Sequence, residues 1–143
     1  MIGEHHFWYT GASILKLAEG DRLDGVQVLL LDTVGDLAAT YALADVAFVG
    51  GSLVPRGGQN PLEAARFGVP VVMGPSFENF REIVELMRVT DAIRIVEPAR
   101  LGAALIELLK DDDGMGERGR RFFETQSGAT GRTVEALLEL IRA

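Results

Sequence analysis

The residues best placed to do chemistry in this chain form one continuous stretch, "GGSLVPRGGQNPLE", from Gly50 to Glu63. Four glycines and two prolines lie between a strand-like run, "VAFV", and a helix-like run, "LEAARFG". Glycine permits positive φ and lets a ligand approach bare backbone, so such a loop either turns the chain or receives a ligand. Its end has the grammar of a helix start: Asn60 as N-cap, Pro61 at the first helical position and Glu63 three residues after the cap. Unpaired N–H groups and the positive end of a helix dipole suit phosphate at such a place. Glu63 reads in two ways. It closes a capping box on Asn60, or it accepts hydrogen bonds from a vicinal diol, which the two oxygens of a carboxylate match well. Arg56 is a loop cation that either meets a phosphate or carboxylate or stays solvated.

Other chemistries find no support. No Gly-Lys-Ser/Thr follows the glycines, and no Gly-x-Gly-x-x-Gly opens a helix, so neither a Walker A loop nor a dinucleotide fingerprint is present. Gly51-Ser52-Leu53 does not make a nucleophile elbow, and the only histidines are the adjacent His5 and His6. Neighbouring residues rarely converge on one ion and no carboxylate cluster accompanies the pair, so no metal site and no cofactor are expected. The absence of cysteine excludes disulfides and thiol catalysis and fits a reducing compartment. A net charge of -7 argues against a nucleic-acid-binding surface. With 143 residues, 48% hydrophobic and 24% charged, the chain suits a soluble globular domain. No apolar run approaches the roughly 20 residues needed to cross a bilayer, and "MIGEHHFWYTGASILKL" lacks the basic start of a signal peptide. A cytoplasmic location is the expectation.

The elements that would hold the loop alternate regularly. "VQVLLLD", "VAFVGG", "VPVVMG" and "AIRIVE" read as buried parallel strands. Between and after them, "DLAATYALAD", "PLEAARFG" closed by Gly68, "FENFREIVELMRVT" and "ARLGAALIELLKD" read as helices. The C-terminal stretch reads as two helices broken around Ser127-Gly128, and "GASILKLAEG" as a short helix closed by Gly20. This predicts an α/β fold, an open parallel sheet with helices on both faces. Four strands are few for a doubly wound sheet, so either residues 1–20 supply an irregular edge or the first strands lie outside the chain. "DTVGD", "GGSLVPRGGQN" and "GPSFENF" fall beyond the carboxyl ends of the first three strands, where open α/β sheets bind ligands.

The stretch from "LLLDTVGDLAATYALAD" through "VAFVGGSLVPRGGQNPLEAARFG" to "VPVVMGPSFENF" closely resembles the C-terminal domain of the 3-deoxy-D-manno-octulosonic acid (Kdo) transferases. These GT-B glycosyltransferases move Kdo from CMP-Kdo to a lipid A precursor in lipopolysaccharide biosynthesis. The resemblance runs from about Asp21 to the C-terminus, including "TQSGATGR", and leaves residues 1–20 unassigned and 21–143 as a nucleotide-sugar-binding domain. It implies a Rossmann-like half of a GT-B enzyme. It further implies that Asn60 and Glu63 hold CMP, with Glu63 on the ribose hydroxyls. Gly51, Ser52, Gly57 and Gly58 would shape the loop near the phosphate and the Kdo carboxylate. Val34 and Gly35 would lie against cytosine, and Asn79 would line the pocket. Two positions depart from the family pattern: Gln59 stands for a usual His and Val34 for a common Met.

The family's acceptor site and catalytic carboxylate base belong to an N-terminal domain, through which the lipid A precursor would be met. No residue here is assigned as catalytic, and the chain alone is expected to be inactive. Full-length relatives associate with the cytoplasmic face of the inner membrane. Two other readings stay open: a non-catalytic nucleotide- or partner-binding module, self-associating through exposed sheet edges, or part of a transferase using a UDP-sugar.

Overall fold

The computed structural model of the chain describes residues 14–16, 28–31 and 37–142. The chain divides into two compact units, Met1–Leu37 and Ala38–Ala143. In the first, β1 (Ile14–Lys16) pairs in parallel with β2 (Val28–Leu30), Ile14 opposite Val28 and Lys16 opposite Leu30. β2 falls where "VQVLLLD" predicts a strand. β1 corrects the helix expected over "GASILKLAEG": Ile14, Leu15 and Lys16 are extended. A helix of ten residues is marginal without packing, whereas β-branched and aliphatic residues beside a parallel partner favour the ladder.

The second unit holds a three-stranded parallel sheet in the order β3 (Ala47–Val49), β4 (Val71–Met73), β5 (Arg94–Ile95). Ala47, Phe48 and Val49 lie opposite Val71, Val72 and Met73, and Met73 lies opposite Ile95. The four predicted strands thus belong to two sheets, with β2 laddered to β1 and β3 to β4. Around the sheet are α1 (Leu37–Tyr41), α2 (Leu62–Ala65), α3 (Arg81–Val89), α4 (Leu101–Lys110) and α5 (Met115–Arg142).

Helices cover both faces of this sheet, as expected, and β4 shows how. Its residues alternate sides with the period of a strand. Val71 and Met73 pack with Ala64 and Ala65 of α2, Val84 and Met87 of α3 and Phe122 of α5. Val72 packs the other way, with Leu108 of α4, Met115 and Phe48. All three β4 residues are fully buried, which is why "VPVVMG" is an unbroken apolar run.

Two helix boundaries differ from expectation. "FENF" forms a separate 3-10 turn, Glu78–Phe80, before α3 begins at Arg81. The C-terminal stretch is one 28-residue helix with no break at Ser127-Gly128. A glycine costs a helix only about 1 kcal/mol. No proline interrupts residues 115–143, and the N-terminal half of α5 is anchored against α2 and β4, so the helix propagates through.

Candidate functional site

The loop leaving β3 is tied to the end of β4 within its first three residues. Ser52 is fully buried. Its hydroxyl donates to the Val49 carbonyl at 2.6 Å and accepts the Gly74 N–H at 2.9 Å. The Ser52 carbonyl then accepts the Ser76 N–H at 2.9 Å. The two backbones run so close that a Cβ at Gly74 would overlap the Ser52 carbonyl. Here glycine supplies close approach, with no unusual φ.

The rest of the loop folds on itself and on the Glu78–Phe80 turn. Gly58 donates its N–H to Gly51 O at 3.1 Å, and Gln59 to Gly50 O at 3.2 Å. Gly57 donates to Ser76 Oγ at 3.0 Å and accepts the Asn79 N–H at 3.1 Å. The Asn79 side-chain amide donates to Arg56 O at 3.1 Å and to Gly58 O at 3.4 Å. Gly57, at φ +80, lies so close to Asn79 that a side chain there would meet both strain and collision. The Ser76 hydroxyl in turn donates a hydrogen bond to Glu78 Oε2 at 2.8 Å. The Glu78 carboxyl is held below its ordinary 4.5 first by its own backbone N–H, then by this hydroxyl and by the charge of Arg81. Gly51, Ser52, Gly57, Gly58 and Asn79 are therefore brought together. The N–H groups of Gly57, Gly58 and Gln59 face inward, so those three residues shape the loop without offering it as a nest of donors.

The helix start is real but short. Asn60 Oδ1 accepts the Leu62 N–H at 3.1 Å, and Pro61 is in the right-handed helical region. α2 then runs for only four residues before the chain turns at Gly68, φ +74. One turn carries little macrodipole, so this helix end gives little support to the expected phosphate site. Glu63 is exposed. Its carboxylate accepts no hydrogen bond among the described residues, so the capping box is open and the carboxylate is available to a ligand. Its charge is felt by half-buried Tyr41, whose phenol is pushed up first by burial and then by Glu63.

Asn60 and Glu63 share a cleft of about 170 Å³ with Ala38, Leu62, Arg66, Phe67 and Phe123. Arg66 escaped the sequence reading although it lies three residues after Glu63, capping the end of α2. Phe123 had no local signal at all, because α5 reaches the cleft only through the packing of the fold. Val34 and Gly35 lie outside the described residues, as do His5 and His6. Among the described residues no three acidic or histidine side chains could hold a metal ion, and no helix is long and apolar enough to cross a membrane. A larger hollow of about 650 Å³ beside β5 contains Arg88, Arg94 and Arg118. These are already bonded to Glu85, to Glu107 and to the carbonyls of Asp91 and Asp113.

No protein-family model matches the chain. The 3-deoxy-D-manno-octulosonic acid transferase of Bordetella pertussis is 37% identical over 116 residues, covering 78% of this chain and 27% of that protein. Its counterpart in Haemophilus influenzae is 35% identical over 119 residues, covering 80% and 28%. The chain thus spans little more than a quarter of the length of these curated relatives. Among solved structures, the C-terminal CMP-Kdo binding domain of WaaA from Acinetobacter baumannii matches with a TM-score of 0.70 at 31% identity, covering 78% of this chain and 61% of that one. In sequence and in fold, a parallel sheet flanked by helices, this chain is a relative of the Kdo transferases and corresponds to their C-terminal domain.

Proposed function

We propose that the chain supplies the donor-binding part of a glycosyltransferase that moves Kdo from CMP-Kdo to a lipid A precursor. The observation that carries this reading is the match to a CMP-Kdo binding domain over a chain in which Asn60 and Glu63 border one cleft. On this reading the Glu63 carboxylate accepts the two ribose hydroxyls, each a charge-assisted hydrogen bond. Asn60 has committed its oxygen to Leu62, so its amide nitrogen is the group it turns to the nucleotide. The glycine loop, tied down by Ser52, Ser76 and Asn79, meets the donor already ordered, and binding then loses little conformational entropy.

Sugar transfer also needs a base for the acceptor hydroxyl and stabilisation of the departing CMP phosphate. The reading gives this chain donor binding and leaves acceptor deprotonation to residues outside those described. It works in the cytoplasm, at the inner face of the membrane where the acceptor lies.

Calorimetric titration with CMP, UMP and a UDP-sugar tests it, with Glu63→Ala alongside. CMP heat weakened roughly 10- to 100-fold in the variant is expected from the loss of charge-assisted bonds of 1.5–3 kcal/mol. CMP heat that is absent, or indifferent to Glu63, defeats the reading, and heat with the UDP-sugar alone would reassign the donor. The purified chain is expected to transfer no Kdo, and transfer to a lipid A precursor would place the base within these residues.

A further inference from the structure

Gly57 is the point at which the turn after β4 takes hold of the glycine loop. Its N–H goes to Ser76 Oγ at 3.0 Å, and its carbonyl accepts the Asn79 N–H at 3.1 Å. The second bond joins two backbones, whereas the first depends on the state of a side chain. A serine hydroxyl rotates and carries a single hydrogen. Its oxygen stays turned to Gly57 only while that hydrogen is engaged elsewhere. Ser76 is buried, and its hydrogen goes to Glu78 Oε2 at 2.8 Å. A carboxylate makes this bond charge-assisted. By polarising the hydroxyl it also strengthens the oxygen as an acceptor for Gly57. The order of a buried glycine thus traces back to an exposed carboxylate, one that lies outside the cleft of Asn60 and Glu63.

We infer that Glu78 is a positioning residue for the nucleotide donor. Acting through the Ser76 hydroxyl, it holds Gly57, and the backbone that leads to Asn60, in the conformation that meets the ligand. This inference rests on the nucleotide-donor reading given above and adds to it a group that touches no ligand. Asn60 lies three residues after Gly57, and the N–H groups of Gly58 and Gln59 between them are bonded to Gly51 and Gly50. Gly57 and Asn60 therefore belong to one tethered run of backbone, and a displacement at the first reaches the second. A loop that is competent for only part of the time weakens the apparent affinity by that fraction.

The test pairs amide hydrogen exchange with calorimetric titration of CMP at neutral pH, well below Tm. It uses the full 143-residue chain and its variants Glu78→Ala, Glu78→Gln, Ser76→Ala and the Ser76→Ala/Glu78→Ala double. Glu78→Ala is expected to speed exchange at Gly57 about tenfold while the amides of β4, Val71–Met73, keep the parent's rate. The same variant is expected to weaken CMP about five- to tenfold. Glu78→Gln keeps an acceptor oxygen and is expected to recover most of both losses. In the Ser76→Ala background, Glu78→Ala is expected to change CMP affinity by less than about twofold, because the route through the hydroxyl is already cut. A carboxylate that acted by general charge or fold stability would keep its full effect there and would not be rescued by Gln. Glu78 is exposed, so its two single variants keep the packed core and decide the matter even if Ser76→Ala folds poorly. Unchanged Gly57 exchange, or unchanged CMP affinity, in Glu78→Ala overturns this inference and leaves the donor reading intact. No CMP binding by the parent chain overturns both.

Discussion

Ser52 offers the sharpest test of how the loop is built. Replacing it by alanine removes one hydroxyl that is fully buried and makes two hydrogen bonds, to Val49 O at 2.6 Å and from Gly74 N–H at 2.9 Å. Each such bond contributes about 1 kcal/mol net, and an orphaned buried N–H costs a further 1–3 kcal/mol. Gly74 is buried, so its N–H would lose its partner away from solvent. The sum is about 3–5 kcal/mol, a large share of the 5–15 kcal/mol that holds a typical domain. For a chain of this size that lowers Tm by roughly 10–17 °C. Urea unfolding followed by circular dichroism gives the free energy, and CMP titration well below Tm gives the affinity, expected within about threefold of the parent. A stability loss under about 1 kcal/mol together with collapsed CMP binding would refute the reasoning. It would mean that the hydroxyl touches the ligand and does not fasten the sheet.

The same close approach can be probed from the other strand. Gly74→Ala places a methyl group against the Ser52 carbonyl and a Leu53 methyl, an overpacking expected to cost about 1–3 kcal/mol. Gly50→Ala, with nothing within 4 Å of the new carbon, should stay within about 0.5 kcal/mol, and equal effects in the two variants would sink the account. Glu78 predicts an acid dependence. Its carboxyl titrates below 4.5 when folded, so its contribution is present above that pH and fades as pH falls through the lower, folded value. Denaturation of Glu78→Gln should therefore differ most from the parent near neutrality and converge with it toward pH 3, whereas a pH-independent difference would remove Glu78 from the role.

What could be read from the chain follows the range of the forces involved. β3, β4 and their crossovers were legible because "VAFV" and "VPVVMG" are buried on both faces and need no pattern beyond continuous apolarity. Gly68 was legible as a helix stop, and the nearness of Asn60 and Glu63 at a helix start, because both are local. β1 was not, since three residues become a strand only when Val28–Leu30 lies beside them. The unbroken α5 was not, because its early half is fixed by contacts with distant α2 and β4. Least legible of all was that Ser52, read as shaping the loop, does so as a buried rivet between strands. Its partner Gly74 is 22 residues away, a separation that no spacing rule reports.

That rivet bears on how the protein could change its specificity. Loops are commonly the part of a scaffold most open to variation. This one is glycine by steric necessity at Gly57 and Gly58 and is buried at Ser52, against Gly74 at the end of β4, so substitutions there act on folding before they reach a ligand. Freedom to accept new side chains lies at the exposed edge of the cleft, where Glu63 and Arg66 sit. An engineer or a lineage seeking a different donor would find its variation there, with the glycine loop kept as a fixed frame.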